Sequence, residues 1–140
     1  IMASILKVDT LTGVTTAGSI SVTGEGNSTT TNLQQSLTKC WFLINGGGTP
    51  AYRDSFNCSS LDDYGTGDYG VNFTNNMGNA NYSVTGAIGN GNDGDVATSN
   101  FRRGSTYTTG LRATANYAAS GSNAVYDYAY IGGSVNGDLA

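Results

Sequence analysis

The sequence has no histidine, one glutamate (Glu25) and one proline, and only 11% of its 140 residues are charged. Without histidine there is no Ser-His triad, no histidine-ligated zinc and no imidazole acid–base catalyst. Six basic residues and a net charge of −4 exclude the basic surface that nucleic-acid binding requires. The longest apolar run is much too short to cross a membrane, so we expect no membrane insertion. We therefore predict that the chain is not an enzyme and has no catalytic residues, metal or cofactor.

Small residues dominate what is present. Glycine, threonine, asparagine and serine make up 68 of the 140 residues, and nine tyrosines accompany them. Low charge and many tyrosines argue against a disordered chain, and the length has room for one domain or at most two. This composition predicts an all-β fold.

Residues 1–30 contain two short apolar segments, at residues 5–8 and 19–23, which we expect to be strands. They supply too few apolar side chains for a core, so this segment is expected to be ordered only against copies of itself or a partner surface. It lacks the basic start and the continuous apolar stretch of a signal peptide. We expect Met2 to be the natural start and the chain to be made in a cytosol.

The one helical signal covers residues 31–39. Leu33 and Leu37 are four residues apart, Thr31 or Asn32 is suited to cap the start, and Lys39 favours the end. The narrow stripe of Leu33 and Leu37 fits an oligomer axis as well as it fits packing on the chain's own domain.

Short strands separated by Gly, Asn and Asp are expected from Cys40 onward. The segment Cys40–Ile44 is apolar on both faces and predicts a central strand buried on both sides. Tyr69, Val71 and Phe73 alternate and should share one face. Further strands are expected at residues 51–60, 68–74, 81–85, 105–117, 124–131 and 134–139, with a turn at 61–65. Seven or eight such strands predict an antiparallel, jelly-roll-like β-sandwich.

Two cysteines, Cys40 and Cys58, are the only thiols. Free thiols acting as small apolar residues and a disulfide between neighbouring strands both remain open. Two thiols without histidine or a C-x-x-C spacing make a poor metal site.

Two acidic segments are candidates for a calcium site and for a catalytic site, respectively. The loop 90–95 offers oxygen ligands for Ca²⁺, but Gly94 and Phe101 fall where an EF-hand needs ligands, so we expect a solvated turn. Asp62, Asp63 and Asp68 lie within one glycine-rich hairpin, where aspartate mainly supplies turn hydrogen bonds rather than acid–base catalysis.

Two aromatic segments are candidates for recognition. Arginine and aromatic side chains together bind sugars or anionic groups. We therefore interpret one group of such residues as a candidate receptor contact: Phe101, Arg102, Arg103 and Tyr107. An ion pair between subunits, from these arginines to Asp93 or Asp95, is the alternative. Tyr126, Tyr128 and Tyr130 should lie on one face of a strand, and we interpret them as a subunit interface or a core layer.

Several segments resemble tail-fibre-type virion proteins of marine bacteriophages. They are MASILKVDT at 2–10, TNLQQSLTKCW at 31–41, RDSFN at 53–57 followed by GTGDYGVNFT at 65–74, NANYS at 79–83 and GDLA at 137–140. The pair at 53–57 and 65–74 is the most specific. The resemblance covers roughly the first 85 residues well and the remainder mainly through its ending. Cys40 and Cys58 depart from the family, where small apolar residues are expected, and the chain lacks a long shaft.

The resemblance implies a homotrimer whose N-terminus docks on other virion proteins. Residues 1–30 would then be an anchoring segment, residues 31–39 a helix at the trimer axis, and residues 40–140 a displayed β-sandwich. The anchoring side chains would be Ile5, Leu6, Val8, Ile20 and Val22. The implied function is a short tail fibre that binds a host surface glycan or outer-membrane component. The alternative is a head fibre or capsid decoration protein that stabilises the shell. Both place the chain on the virion, at the tail or capsid exterior, after synthesis in the host cytoplasm.

Overall fold

The computed structural model describes residues 5–13, 20–24, 29–90, 97–119 and 122–139, with residues 97–106, 117–119, 122 and 123 described by their backbone alone. The chain divides into two compact units, Ile1–Leu37 and Thr38–Ala140. The described strands are β1 (Ser21–Thr23), β2 (Thr30–Asn32), β3 (Cys40–Asn45), β4 (Ala51–Phe56), β5 (Cys58–Asp63), β6 (Asp68–Phe73), β7 (Ser83–Gly89), β8 (Ala97–Tyr107), β9 (Gly110–Ala119), β10 (Ser122–Val125) and β11 (Tyr130–Asn136), and the described helix is α1 (Leu33–Ser36). All strand pairs are antiparallel, and the all-β fold class is confirmed.

The first unit contains a small hairpin followed by one helical turn. β1 pairs with β2, with Val22 opposite Thr31. Asn32 Oδ1 accepts a hydrogen bond from the Gln35 backbone N–H at 3.2 Å, which satisfies a donor that the first turn of α1 leaves open. The predicted cap at Asn32 is therefore confirmed.

Two predictions for the first 39 residues are wrong. Residues 5–8 form no strand, because no described segment pairs with them and a lone strand lacks its ladder of hydrogen bonds. The helix ends at Ser36 rather than at Lys39, since Leu37 is extended (φ −84°, ψ 141°). Lys39 already donates its backbone N–H to the Val135 carbonyl at 2.8 Å, so the chain has joined a sheet before a second helical turn forms.

The second unit has two sheets. One has four strands in the order β4-β3-β11-β7, so the predicted central position of β3 is confirmed. In the five-stranded sheet, β9 pairs along one edge with β8 and along the opposite edge with β6 and β10, and β5 lies outside β6.

One buried cluster takes side chains from both sheets. Its members are Cys40, Phe42, Ile44, Tyr69, Val71, Phe73, Met77, Leu111, Ala113, Ala115, Tyr128, Ile131 and Val135. The predicted inward row of Tyr69, Val71 and Phe73 is confirmed, because none of the three is more than 5% exposed. Burial of this apolar surface is the main stabilising contribution to the fold.

Asn57 marks the point at which the chain leaves the four-stranded sheet for the other one. The predicted strand over residues 51–60 is therefore divided, and the predicted turn at 61–65 begins later because β5 continues to Asp63. Asn57 has a left-handed backbone (φ 59°), which asparagine tolerates better than most residues. Its Nδ2 donates to the Lys39 carbonyl at 2.9 Å and fixes the corner against the start of β3.

The predicted strand over residues 105–117 is a hairpin. β8 ends at Tyr107, and β9 begins at Gly110 after a turn at Thr108 and Thr109. Neither threonine is a typical turn residue, so the local sequence gave little indication that the chain reverses direction here.

The predicted strand over residues 124–131 is also divided. Residues 126–129 connect β10 of one sheet to β11 of the other. Asp127 holds this connection, because its Oδ1 accepts hydrogen bonds from the Tyr69 hydroxyl at 2.7 Å and from the Gly67 N–H at 2.6 Å. The last predicted strand, residues 134–139, belongs to β11 as far as Asn136.

Candidate functional site

The outward side of the four-stranded sheet carries large apolar side chains. In β3, Cys40, Phe42 and Ile44 are buried, so the alternation of the strand turns Trp41 and Leu43 to the opposite side. Trp41 is 37% exposed, which corrects the prediction that β3 is buried on both faces. The prediction failed because the buried cluster covers only one side of this strand.

Strand pairing places further apolar residues on the same side. Trp41 pairs with Phe56 of β4, Leu43 pairs with Gly132 of β11, and Gly132 pairs with Ala87 of β7. Directly paired residues point to the same side of a sheet. Phe56 is more exposed than Trp41, at 54%.

Tyr130 closes the far end of this surface. It precedes Ser134, the partner of Trp41, by four residues of β11, so about 14 Å of strand separates the two positions. The Arg53 guanidinium carbon lies 4.5 Å from the centre of the Tyr130 ring, and Arg53 Nε donates to the Ala129 carbonyl at 2.9 Å. This cation–π contact holds the ring in place. We call this surface the aromatic face, and it consists of Trp41, Leu43, Phe56, Ala87 and Tyr130.

A shallow concavity of about 560 Å³ lies on the aromatic face. This volume falls within the range of small-molecule sites. Its lining is rich in glycine and other small residues: Leu43, Thr85, Gly86, Ala87, Ile88, Gly89, Tyr130, Gly132, Gly133 and Ser134. Gly133 is required there, because a Cβ atom at this position would overlap the Phe42 ring on the buried side.

The polar groups around the concavity are mostly uncharged. The hydroxyls of Thr85 and Ser134 are hydrogen-bonded to each other at 2.9 Å. Asn45 Oδ1 accepts from Arg53 Nη2 at 3.1 Å, so that guanidinium is engaged by the protein itself. Asp54 pairs with Leu43 in register and supplies a carboxylate at the edge. Rings with hydroxyl, amide and carboxylate groups at their border suit a ligand that has both apolar faces and hydroxyl groups.

Charged and polar side chains that are described on the outward side of the five-stranded sheet are hydrogen-bonded to one another. Arg112 donates two hydrogen bonds to the Asp68 carboxylate, at 2.6 and 2.5 Å, and its guanidinium carbon lies 4.3 Å from the centre of the Tyr64 ring. The hydrogen bonds to Asp68 raise the pKa of Arg112. Asn72 Nδ2 donates to Asp62 Oδ2 at 2.9 Å. Asp62 and Asp68 are therefore engaged in the hydrogen bonds of the sheet itself.

Only one predicted receptor contact has a described side chain. Tyr107 is exposed and lines a small cavity of about 180 Å³ on the five-stranded sheet, together with Tyr64 and Arg112. Phe101, Arg102 and Arg103 belong to β8, but their side chains lie outside the described residues. The loop residues 91–96, including Asp93 and Asp95, also lie outside them. The structure does not bring Tyr107 to the aromatic face.

The predicted tyrosine row does not form. Residues 126–128 are not in a strand, and Tyr128 is 1% exposed in the core while Tyr126 and Tyr130 are exposed. Tyr128 is thus unavailable to a second subunit, because the crossing between the sheets turns it inward. Tyr126 packs edge-on against it, with ring centres 5.0 Å apart.

The predicted oligomer and anchoring residues lie in the first unit. Leu33 is half-buried, but Leu37 is exposed and lies beyond α1, so the two do not form a helical stripe. Four of the anchoring side chains are exposed and Ile20 is half-buried. The exposed four are Ile5, Leu6, Val8 and Val22. Assembly and anchoring remain predictions.

Trp41 and Phe56 were missed by the sequence analysis. A strand buried on both faces needs neighbours that are apolar on both faces. Residues 51–56 instead contain Arg53 and Asp54, and β11 contains Gly132 and Gly133. Polar and small residues in both neighbouring strands indicate that one side of β3 faces solvent.

Within the described ranges, no three or more Cys, Asp or Glu residues cluster closely enough to hold a metal ion. The same part of the chain contains no helix with the length and apolar character needed to span a membrane.

Comparison of this chain with protein-family models, with curated proteins and with solved structures finds no match.

Proposed function

We propose that this chain is a non-catalytic phage virion protein, a short homotrimeric fibre that attaches to the host cell by binding a surface glycan on its aromatic face. The observation that carries the glycan assignment is the exposed aromatic face, on which Tyr130 lines a shallow apolar concavity and Trp41 and Phe56 lie further along the same side of the sheet. The resemblance of residues 53–57 and 65–74 to tail-fibre-type proteins supports the virion assignment.

In this proposal the two sheets of the second unit form a jelly-roll-like β-sandwich around the buried cluster that they share. Such a frame holds the rings at fixed spacing, because Trp41, Phe56 and Tyr130 all lie on strands rather than on loops. Sites on regular elements are better preorganised than sites on loops.

A glycan fits the aromatic face because of its chemistry. Aromatic rings offer flat apolar surfaces to the C–H faces of sugar rings, and border hydroxyl and carboxylate groups bind sugar hydroxyls. The length of the face suits an oligosaccharide rather than one sugar. The guanidinium that the described residues place on it, that of Arg53, is already bound to Asn45 and Ala129, which favours a neutral glycan over a strongly anionic one.

The proposed trimer forms through residues 1–39, with Leu33 of α1 and Leu37 of the extended segment after it supplying apolar side chains at the axis, although they share no helical stripe. The exposed apolar side chains before them dock on other virion proteins. Tyr130 is assigned to the aromatic face in this proposal rather than to the subunit interface. The second unit is thereby left free to face the host.

The test is binding of the full chain to a panel of bacterial surface oligosaccharides, measured by calorimetry. We expect Trp41→Ala and Tyr130→Ala each to weaken binding at least tenfold, because each removes a stacking surface. Tyr64→Ala is the matched control, since Tyr64 is an exposed aromatic residue that lies beside the other sheet, against Arg112 of β9. Tyr107→Ala tests the earlier receptor prediction.

Loss of binding in Tyr107→Ala with full binding in Trp41→Ala would move the site to the five-stranded sheet and overturn the proposal. Binding to empty capsids, with none to the oligosaccharides, would favour the capsid-decoration alternative.

A further inference from the structure

Cys40 and Cys58 lie in different sheets with their sulfur atoms in contact. Cys40 is the first residue of β3 and is buried, whereas Cys58 is the first residue of β5 and is partly exposed. The two Sγ atoms are 3.3 Å apart. A disulfide bond is about 2 Å long, so the two sulfur atoms have to approach each other by roughly 1 Å for the bond to form.

The backbone around the two cysteines is fixed by the residues that precede them. Asn57 donates its Nδ2 to the carbonyl of Lys39 at 2.9 Å. Lys39 is in turn bound to β11 through its N–H and the Val135 carbonyl. The approach of the two sulfurs is therefore a consequence of the corner at Asn57.

We propose that Cys40 and Cys58 are a redox-active pair that closes to an intramolecular disulfide by exchange with a low-molecular-weight disulfide such as oxidised glutathione. The bond cross-links the two sheets. This proposal is independent of glycan binding.

Cys58 is the thiol that reacts first. It is the more exposed of the two, and the hydrogen bond with the Cys40 thiol lowers its pKa. The interaction with Cys58 and burial raise the pKa of Cys40. The thiolate is the nucleophile in thiol–disulfide exchange, so these differences assign the attack to Cys58.

The exchange proceeds in two balanced steps. The Cys58 thiolate attacks one sulfur of the external disulfide, the S–S bond of that disulfide breaks, and one thiol leaves with the proton that Cys58 lost. Cys40 then loses its proton and attacks Sγ of Cys58 in the mixed disulfide, which expels the second thiol. The two cysteines are oxidised by two electrons and the external disulfide is reduced to two thiols.

The cross-link stabilises the folded chain because it restricts the unfolded one. The two positions are 18 residues apart in the sequence. A loop of this size predicts a rise in Tm of roughly 10 °C on oxidation.

The test uses the full chain, first reduced and then incubated with oxidised glutathione. We expect alkylation and denaturing mass spectrometry to find no free thiol, a single-chain mass lower by two hydrogen atoms, and one peptide that links residues 40 and 58. The Tm should rise by the amount given above. Two retained thiols, a lasting glutathione adduct or disulfides between chains would each overturn the proposal.

Single variants test the order of attack. Cys40→Ala keeps Cys58 and should accumulate the glutathione adduct, whereas Cys58→Ala keeps the buried Cys40 and should not react while folded. The reverse pattern would overturn the assignment of Cys58 as the attacking thiol. If a variant fails to fold, the rates of alkylation of Cys58 and Cys40 in the reduced natural chain give the same comparison.

Discussion

At the scale of single residues, Asn57 both turns the chain from one sheet to the other and fixes that turn with its side-chain hydrogen bonds. Its left-handed backbone turns the chain between sheets, and its Oδ1 accepts from the Asn75 N–H at 2.7 Å while Nδ2 donates to Lys39. We expect Asn57→Ala to lower the free energy of unfolding by about 2–3 kcal/mol, because it removes these hydrogen bonds and strains the backbone. Urea denaturation measures this change.

Asn57→Gly separates the two causes. Glycine adopts the left-handed conformation without strain but makes no side-chain hydrogen bonds. We therefore expect it to be less destabilising than Asn57→Ala by up to about 1 kcal/mol. Equal losses would show that backbone strain is irrelevant at the corner, and no loss in either variant would contradict the role of Asn57.

Three phenols, of which Tyr69 is buried and Tyr52 and Tyr82 are partly buried, make the stability of the fold depend on alkaline pH. Burial raises the pKa of Tyr82 to about 12 and raises the pKa of Tyr52 and of Tyr69 further. Because the folded chain favours the neutral phenol, this stabilisation is complete below about pH 10, the usual pKa of tyrosine, and is lost as the pH rises through 12. We expect the free energy of unfolding to fall over that interval, as measured by urea denaturation at each pH.

Tyr82→Phe is the control for this pH dependence. It removes hydrogen bonds to the carbonyls of Tyr107 and Gly110, so it should be less stable at neutral pH. It should also lose less stability than the natural chain between about pH 10 and pH 12. An unfolding free energy that stays constant or increases over this range would contradict the assignment.

At the scale of elements, local pattern predicted strands well where tertiary contacts did not interrupt them. β6 was predictable because Tyr69, Val71 and Phe73 alternate cleanly. Residues 51–60 were predicted to be one strand, because a single asparagine at position 57 does not indicate that the chain passes there from one sheet to the other. The helix was overestimated because its residues join a sheet immediately afterwards, and only tertiary structure shows that.

The pairing of β11 with β3 depends on a glycine on the buried side. A Cβ at Gly133 would overlap the Phe42 ring, whereas a Cβ at Gly132 would meet the Leu43 side chain at 3.6 Å, an ordinary contact. We expect Gly133→Ala to lower the free energy of unfolding by about 1–3 kcal/mol and Gly132→Ala to change it by less than about 0.5 kcal/mol. Chemical denaturation measures the free energy of unfolding of both variants and so compares two adjacent positions in one strand.

Phe42→Leu should recover part of the loss in Gly133→Ala, because a smaller side chain makes room for the added methyl group. Equal stability of Gly132→Ala and Gly133→Ala would contradict the proposed packing of β11.

At the scale of the whole molecule, the all-β class followed from composition, but the candidate site did not. Trp41 was predicted to be buried because Cys40–Ile44 is apolar throughout. Which side of a strand is covered depends on the other sheet, and the sequence of β3 itself does not encode that. The polar and small residues of β4 and β11 indicated that one side of β3 is open, but only the strand pairing shows that Trp41, Phe56 and Tyr130 share that side.

The proposed trimer is also a property of the whole molecule. Leu33→Ser combined with Leu37→Ser should convert trimers to monomers in a light-scattering mass measurement, because the proposed axis loses its apolar side chains. Leu11→Ser is the matched control, since Leu11 is exposed in the same unit. Trimers that survive the double substitution, or a natural chain that is monomeric, would contradict this assembly.

Trp41 fluorescence reports directly on binding at the aromatic face, because Trp41 is the only tryptophan in the chain and it lies on that face. The measurement is Trp41 emission, with and without an iodide quencher, during titration of the fully reduced chain with bacterial surface oligosaccharides. We expect a bound oligosaccharide to shift the emission to shorter wavelength and to protect Trp41 from iodide. Calorimetric binding that leaves both emission and quenching unchanged, or no binding across the panel, would contradict this expectation.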